Sequence, residues 1–145
     1  MKIAIEAQRI FRLNKHGMDF VALETIRELQ KRNDGNHYFV IVAPGEDHCL
    51  KESANLSIIE LKCPSYPLWE QIALPKTVKR LGVDLLHCTS NTAPLRCPVP
   101  LVLTLHDIIY LEPRQYRTPS LYQEMGWHYR RLVVPHILKV CKKII

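Results

Sequence analysis

Two short apolar runs constrain this chain more than any other feature. They are Asp84-Leu85-Leu86-His87-Cys88 and Leu101-Val102-Leu103-Thr104-Leu105. Runs of about five residues bounded by prolines and polar clusters suit strands buried on both faces of a parallel sheet. Each run ends by delivering polar groups: His87, Thr89, Ser90 and Asn91 from the first, His106 and Asp107 from the second. Open α/β sheets place their ligands just past the carboxyl ends of their strands. A site is expected where these two runs end.

The rest of the chain supplies a scaffold for that pair. Lys2 to Ala7 reads as a first strand, Tyr38 to Ala43 as a second and Leu56 to Leu61 as a third. Between the first two, Gly17 opens a helix with Met18, Val21, Ala22, Thr25, Ile26 and Leu29 at three-and-four spacing on one face, ended by Asn33-Asp34-Gly35-Asn36. A second helix is expected over Leu68 to Leu81, with Pro75 a kink or break inside it, and a third over Tyr122 to Lys143, bent at Pro135. Alternation of strands and helices predicts an α/β fold: a doubly wound, mainly parallel sheet with helices on both faces, in a single domain over residues 1–145. Lys142-Lys143-Ile144-Ile145 begins what looks like a further strand, so the pattern is expected to continue in a larger protein.

Composition narrows the partners. No apolar run approaches the ~20 residues that cross a bilayer, and the first residues meet Glu6 too soon for a signal peptide. A cytoplasmic protein is expected. Five cysteines without Cys-x-x-Cys spacing predict reduced thiols, and the adjacent His48-Cys49 and His87-Cys88 pairs lack metal-ligand spacing, so no metal site is expected. The formal charge of +6 favours anionic partners. Nucleic acid is not among the expected ones, because no helix concentrates Lys and Arg with aromatics.

Several short motifs converge on one family. Ile5-Glu6-Ala7-Gln8-Arg9 is similar to an opening strand with an Asp-Ala-Arg-like end, and His16-Gly17-Met18-Asp19-Phe20 to a Gly-Ile-Gly-Arg-Tyr-like loop and helix. Asp84-Leu85-Leu86-His87 with Asn91 to Pro94 resembles an Asp-x-x-His segment. Pro100 to Asp107 resembles a Pro-x-Val-x-Thr-x-His-Asp strand, the most specific of the matches. Together they resemble the N-terminal domain of family 4 glycosyltransferases, the Rossmann-like first half of a two-domain GT-B fold.

The resemblance implies an acceptor-binding domain facing a C-terminal domain, absent here, that would hold most of a nucleotide-sugar donor. No cofactor is expected in this domain. The full enzyme would transfer a sugar to a glycan or glycolipid hydroxyl with retention, and the isolated domain would be inactive or nearly so. His106 would donate a hydrogen bond to the transferred sugar or leaving oxygen, oriented by Asp107; otherwise the pair closes a strand and caps the next turn. His87, Thr89 and Asn91 would contact acceptor hydroxyls, or His87 would pack beside Cys88. His16 and Gly17 would be substrate contacts of the first loop, against a simple helix start at Gly17 and solvated side chains at His16 and Arg9. Backbone N–H groups at that helix start attract anions, whereas the charge of Asp19 would oppose a phosphate there. Arg130, Arg131, Lys139, Lys142 and Lys143 would meet an anionic membrane or form a solvated face. Besides the transferase, a non-catalytic flavodoxin-like module for a nucleotide or another anion also fits the fold pattern and the charge.

Overall fold

A computed structural model describes residues 1–112 and 121–145, with backbone alone at 121–123. Its strands are β1 (Lys2–Glu6), β2 (His37–Val42), β3 (Leu56–Glu60), β4 (Leu85–Cys88), β5 (Leu101–Leu103) and β6 (Lys143–Ile144). They form one six-stranded sheet in the order β3-β2-β1-β4-β5-β6, every neighbouring pair parallel. This confirms the doubly wound α/β reading.

The alternation of side chains along β1 separates two cores. Ala4 joins Ile41, Leu86, Cys88 and Leu103 on one face, covered by Trp69, Leu74, Val78, Val133 and Ile137. Ile5 and Ala7 join Tyr38, Val40 and Val42 on the other, covered by Ala22, Leu23 and Ile26 of helix α1 (Gly17–Gln30). Full burial of a side chain such as Ile26 or Ile137 contributes about 1.5–3 kcal/mol. Strand order reverses direction at β1, with β2 on one side and β4 on the other. Right-handed crossovers then put helices on opposite faces for the two halves. The crevice outside the carboxyl ends of β1 and β4 is the topological switch point, where such sheets take ligands.

The second helix differs from expectation. Short α2 (Tyr66–Leu68) and α3 (Leu74–Leu81) flank a π-helical turn, Trp69–Ala73, in which Leu74 N–H reaches back five residues to the Trp69 carbonyl. Pro75 has no N–H to give the Gln71 carbonyl, so it stands at the start of α3, after the wide turn. That turn buries both Trp69 and Glu70, and the Trp69 indole donates to Leu61 O at 2.7 Å. Gly82, at φ 60°, ends α3 in the left-handed conformation that favours glycine.

The last helix, α4 (Leu121–Val140), keeps Pro135 inside it and stops before Lys143–Ile144, which pairs with Val102–Leu103. The expected helix over Tyr122 to Lys143 is therefore shorter at its end, because the β-branched tail is drawn into the sheet. Regular strand β5 ends at Leu103 rather than Leu105, yet Thr104 N–H still donates to Cys88 O at 2.9 Å and Leu105 N–H to Ile145 O at 3.0 Å. His106 thus leaves the sheet edge from a tethered backbone.

Candidate functional site

The turn after β4 and the segment after β5 are tied by one side chain. Asn91 is buried and sits at φ 63°, a left-handed conformation uncommon outside glycine. Its Oδ1 accepts the His106 backbone N–H at 2.6 Å, and its Nδ2 donates to Asp107 Oδ2 at 3.2 Å. The His106 ring completes the tie, with Nε2 2.9 Å from Thr89 O. A carbonyl only accepts, so Nε2 carries the proton and Nδ1 remains for other partners. Asp107 Oδ1 accepts the Ile109 N–H at 3.2 Å and so also caps the 3₁₀ turn Ile109–Leu111. The strand-end cap expected of this pair is present, and the polar atoms of Asn91, His106 and Asp107 lie together beside it.

Thr89 is committed to the scaffold. Its hydroxyl donates to Glu6 O at 2.8 Å, and its N–H donates to Glu6 Oε2 at 3.2 Å. Glu6 also accepts the Gln8 N–H at 3.0 Å. Burial raises the Glu6 carboxyl above its usual range, with these backbone donors and Arg9 opposing and Glu70 adding. His87 lies in register with Ile5 and Val102, one residue before Cys88 and so on the opposite face. Its Nε2 is 2.8 Å from Thr104 Oγ1, and burial lowers its pKa. Asn91, His106 and Asp107 are thus brought together, with Thr89 beneath them, while His87 faces Thr104.

At the other side of the crevice His16 precedes α1 as its N-cap. Asp19 accepts the His16 backbone N–H at 2.8 Å, and its buried carboxylate meets Arg9 Nε at 3.1 Å and Arg12 Nη2 at 2.5 Å. Two guanidinium groups therefore offset the charge that Asp19 was expected to turn against a phosphate. Arg9 is a partner of Asp19 rather than a solvated side chain, while Nη2 of Arg9 has no hydrogen-bond partner among the described residues. A concavity of about 460 Å³ opens here, lined by Arg12, Leu13, Asn14, His16, Gly45 and Glu46. Gly45 is required by close approach, because a Cβ there would stand 2.2 Å from Phe11 O.

One group was not singled out from sequence. Glu70, wholly buried, accepts from the Tyr66 hydroxyl at 2.7 Å and Gln71 Nε2 at 2.9 Å, and also from the Thr92 and Tyr129 hydroxyls. Burial raises its carboxyl despite these donors, and the same carboxylate helps to hold the Tyr66 and Tyr129 hydroxyls well above their usual range. An acid within Trp69-Glu70-Gln71-Ile72 carries no signal of burial at ordinary helical spacing. It is buried within the π turn.

Strand order, switch-point crevice and the two covered faces of the sheet define a Rossmann-like α/β domain. The chain matches the family model "Glycosyltransferase Family 4" over residues 16–145 and belongs to that family. Among solved structures it is similar to the crystal structure of the oxidoreductase ylbE from Lactococcus lactis, with a TM-score of 0.50 and 12% identity over 99% of this chain and 67% of that one. That likeness concerns the fold. No curated protein matches the sequence. Among the described residues no helix is long and apolar enough to cross a membrane.

Proposed function

We propose that this chain is the acceptor-binding, N-terminal domain of a glycosyltransferase that moves a sugar from a nucleotide-sugar donor to a glycan or glycolipid hydroxyl, with a second domain holding most of the donor. The observation that carries this reading is the Asn91 tie, which fixes His106 and Asp107 at the switch-point crevice of a family 4 domain. His106 Nδ1 and the Asp107 carboxylate are suited to hydrogen-bond a sugar hydroxyl. Held in place beforehand, such groups favour the oxocarbenium-like transition state more than the ground state. In the transfer, the bond from the anomeric carbon to the diphosphate breaks as the bond to the acceptor oxygen forms, and the proton of the acceptor hydroxyl passes to the departing diphosphate oxygen. Retention of configuration is part of the proposal.

In this reading Thr89 and Asn91 support the site and His87 stands behind it. His16 and Gly17 face the donor side, where Arg9 and Arg12 leave the helix start open to an anion. Peripheral contact with an anionic bilayer is a further part of it, since α4 carries exposed Met125, Leu132 and Val140 beside Arg131 and Lys139.

The test is protein-observed NMR on this chain, titrated separately with UDP-glucose, GDP-mannose and a neutral oligosaccharide series. Shifts clustered at Asn91, His106 and Asp107 with an oligosaccharide are expected, and they should disappear in His106→Ala. Tight nucleotide binding centred elsewhere, with no response to any sugar acceptor, would favour the flavodoxin-like module instead.

A further inference from the structure

Two buried carboxylates grip the two ends of one short turn. Glu6 takes the Thr89 N–H and, through its carbonyl, the Thr89 hydroxyl. Glu70 takes the Thr92 hydroxyl. Between these anchors stands Asn91 at φ 63°. A non-glycine residue in that region costs of order 1 kcal/mol and persists only where its surroundings over-determine it. The His106 backbone and the Asp107 carboxylate both hang on that residue.

Packing does not account for Glu70. Its four donors, from Tyr66, Gln71, Thr92 and Tyr129, are all neutral, and Glu6 adds like charge nearby. A buried carboxylate in such surroundings is less favourable than an apolar side chain of similar volume. What the carboxylate supplies, and an apolar residue would not, is one acceptor shared by α2, α4 and the turn after β4.

We propose that Glu70 is a positioning residue of the His106–Asp107 site: through Thr92 it clamps the far end of the 89–92 turn, so that Asn91 holds both residues in the orientation that receives a ligand. The consequence for sugar transfer rests on the acceptor reading above. The clamp itself does not, and is tested without any ligand.

The experiment is amide hydrogen exchange on the full chain, following the His106 amide against the Tyr38 amide of remote β2, which donates to Asn55 O at 2.8 Å. The Tyr38 amide reports opening of the sheet, so a rise at His106 without one at Tyr38 reports local opening at the site. Thr92→Val deletes the hydroxyl, with its contacts to both Glu70 and the Tyr66 hydroxyl, at nearly constant volume. It is expected to raise His106 exchange relative to Tyr38 by about tenfold, whereas Tyr66→Phe, which leaves the Thr92–Glu70 contact in place, should not raise it. Thr92→Ser should restore the ratio. Tyr129→Phe removes a donor from the same carboxylate on the α4 side, and should lower stability without raising the ratio. Thr92→Ala serves in place of Thr92→Val should the latter not fold, with the same expectation. A ratio unchanged in the Thr92 variants, or His106 and Tyr38 accelerating together, would overturn the clamp. A chain that passes this test but binds no sugar acceptor sinks the acceptor reading alone.

Discussion

Asn91 Oδ1 accepts the backbone N–H of His106 at 2.6 Å, so a residue in a left-handed turn after β4 decides where a histidine after β5 stands. A backbone N–H only donates, which fixes the amide: oxygen toward His106, nitrogen toward Asp107. Adjacent parallel strands β4 and β5 bring the two segments side by side. The amide then makes one unit of them.

Replacing Asn91 separates its two roles. Asn91→Gly accepts the positive φ but loses both side-chain bonds, and should cost under about 1 kcal/mol while abolishing sugar-induced shifts at His106 and Asp107. Asn91→Ala loses the same bonds and keeps the strain, costing about 2 kcal/mol. Urea denaturation measures the first quantity and NMR titration the second. Equal stability of the two variants would argue against a strained turn.

Asp19 anchors the start of α1 through His16 N–H, Arg9 and Arg12. Asp19→Asn keeps an acceptor for the helix cap but removes the charge between the two guanidinium groups. The expected loss is about 2 kcal/mol, below the range for fully buried pairs because both arginines are partly exposed. The loss should shrink at high salt, read as the difference in urea midpoint with and without added sodium chloride.

Buried Glu70 sets one pH dependence. Its folded carboxyl is raised above 4.5, chiefly by burial. The folded chain therefore holds a proton that the unfolded chain has already released. Its contribution is fully present below about pH 4.5 and is lost as pH rises through the raised value. Relative to the unmodified chain, Glu70→Gln should gain stability between pH 4.5 and 7.5. Denaturation midpoints of both proteins across that interval test this, and a flat difference would contradict it.

His87 sets the opposite one. Burial lowers its pKa below 6.5, so the folded state favours the neutral ring that meets Thr104. That contribution is present above pH 6.5 and is lost as pH falls through the lowered value. His87→Gln should therefore lose less stability than the unmodified chain between pH 7.5 and 5. Parallel urea melts at the two pH values give the comparison.

Much of the scaffold was legible because strands and amphipathic helices have fixed periods. The apolar runs at Lys2, Tyr38, Leu56, Asp84 and Leu101 all became parallel strands, and Lys143–Ile144 became a sixth. The site was legible in part. Polar residues past the ends of Cys88 and Leu103 converge because parallel neighbours end on the same edge.

The partnerships were not legible, since hydrogen bonds between distant segments leave no period. Thr89 with Glu6 and Thr92 with Glu70 join residues 83 and 22 positions apart. Asp19 read alone is a charge opposed to phosphate; only the folded loop brings Arg9 and Arg12 against it. Glu70 lies buried in a π turn, where Leu74 N–H reaches Trp69 O instead of Glu70 O, a spacing that no helical periodicity foretells. The sequence by itself determined the sheet, its two faces and the edge where polar groups gather, because these follow from local pattern and chain connectivity. Tertiary structure alone decided which of those polar groups are tied to one another and which are held in the scaffold, because that depends on which donor meets which acceptor once distant segments pack.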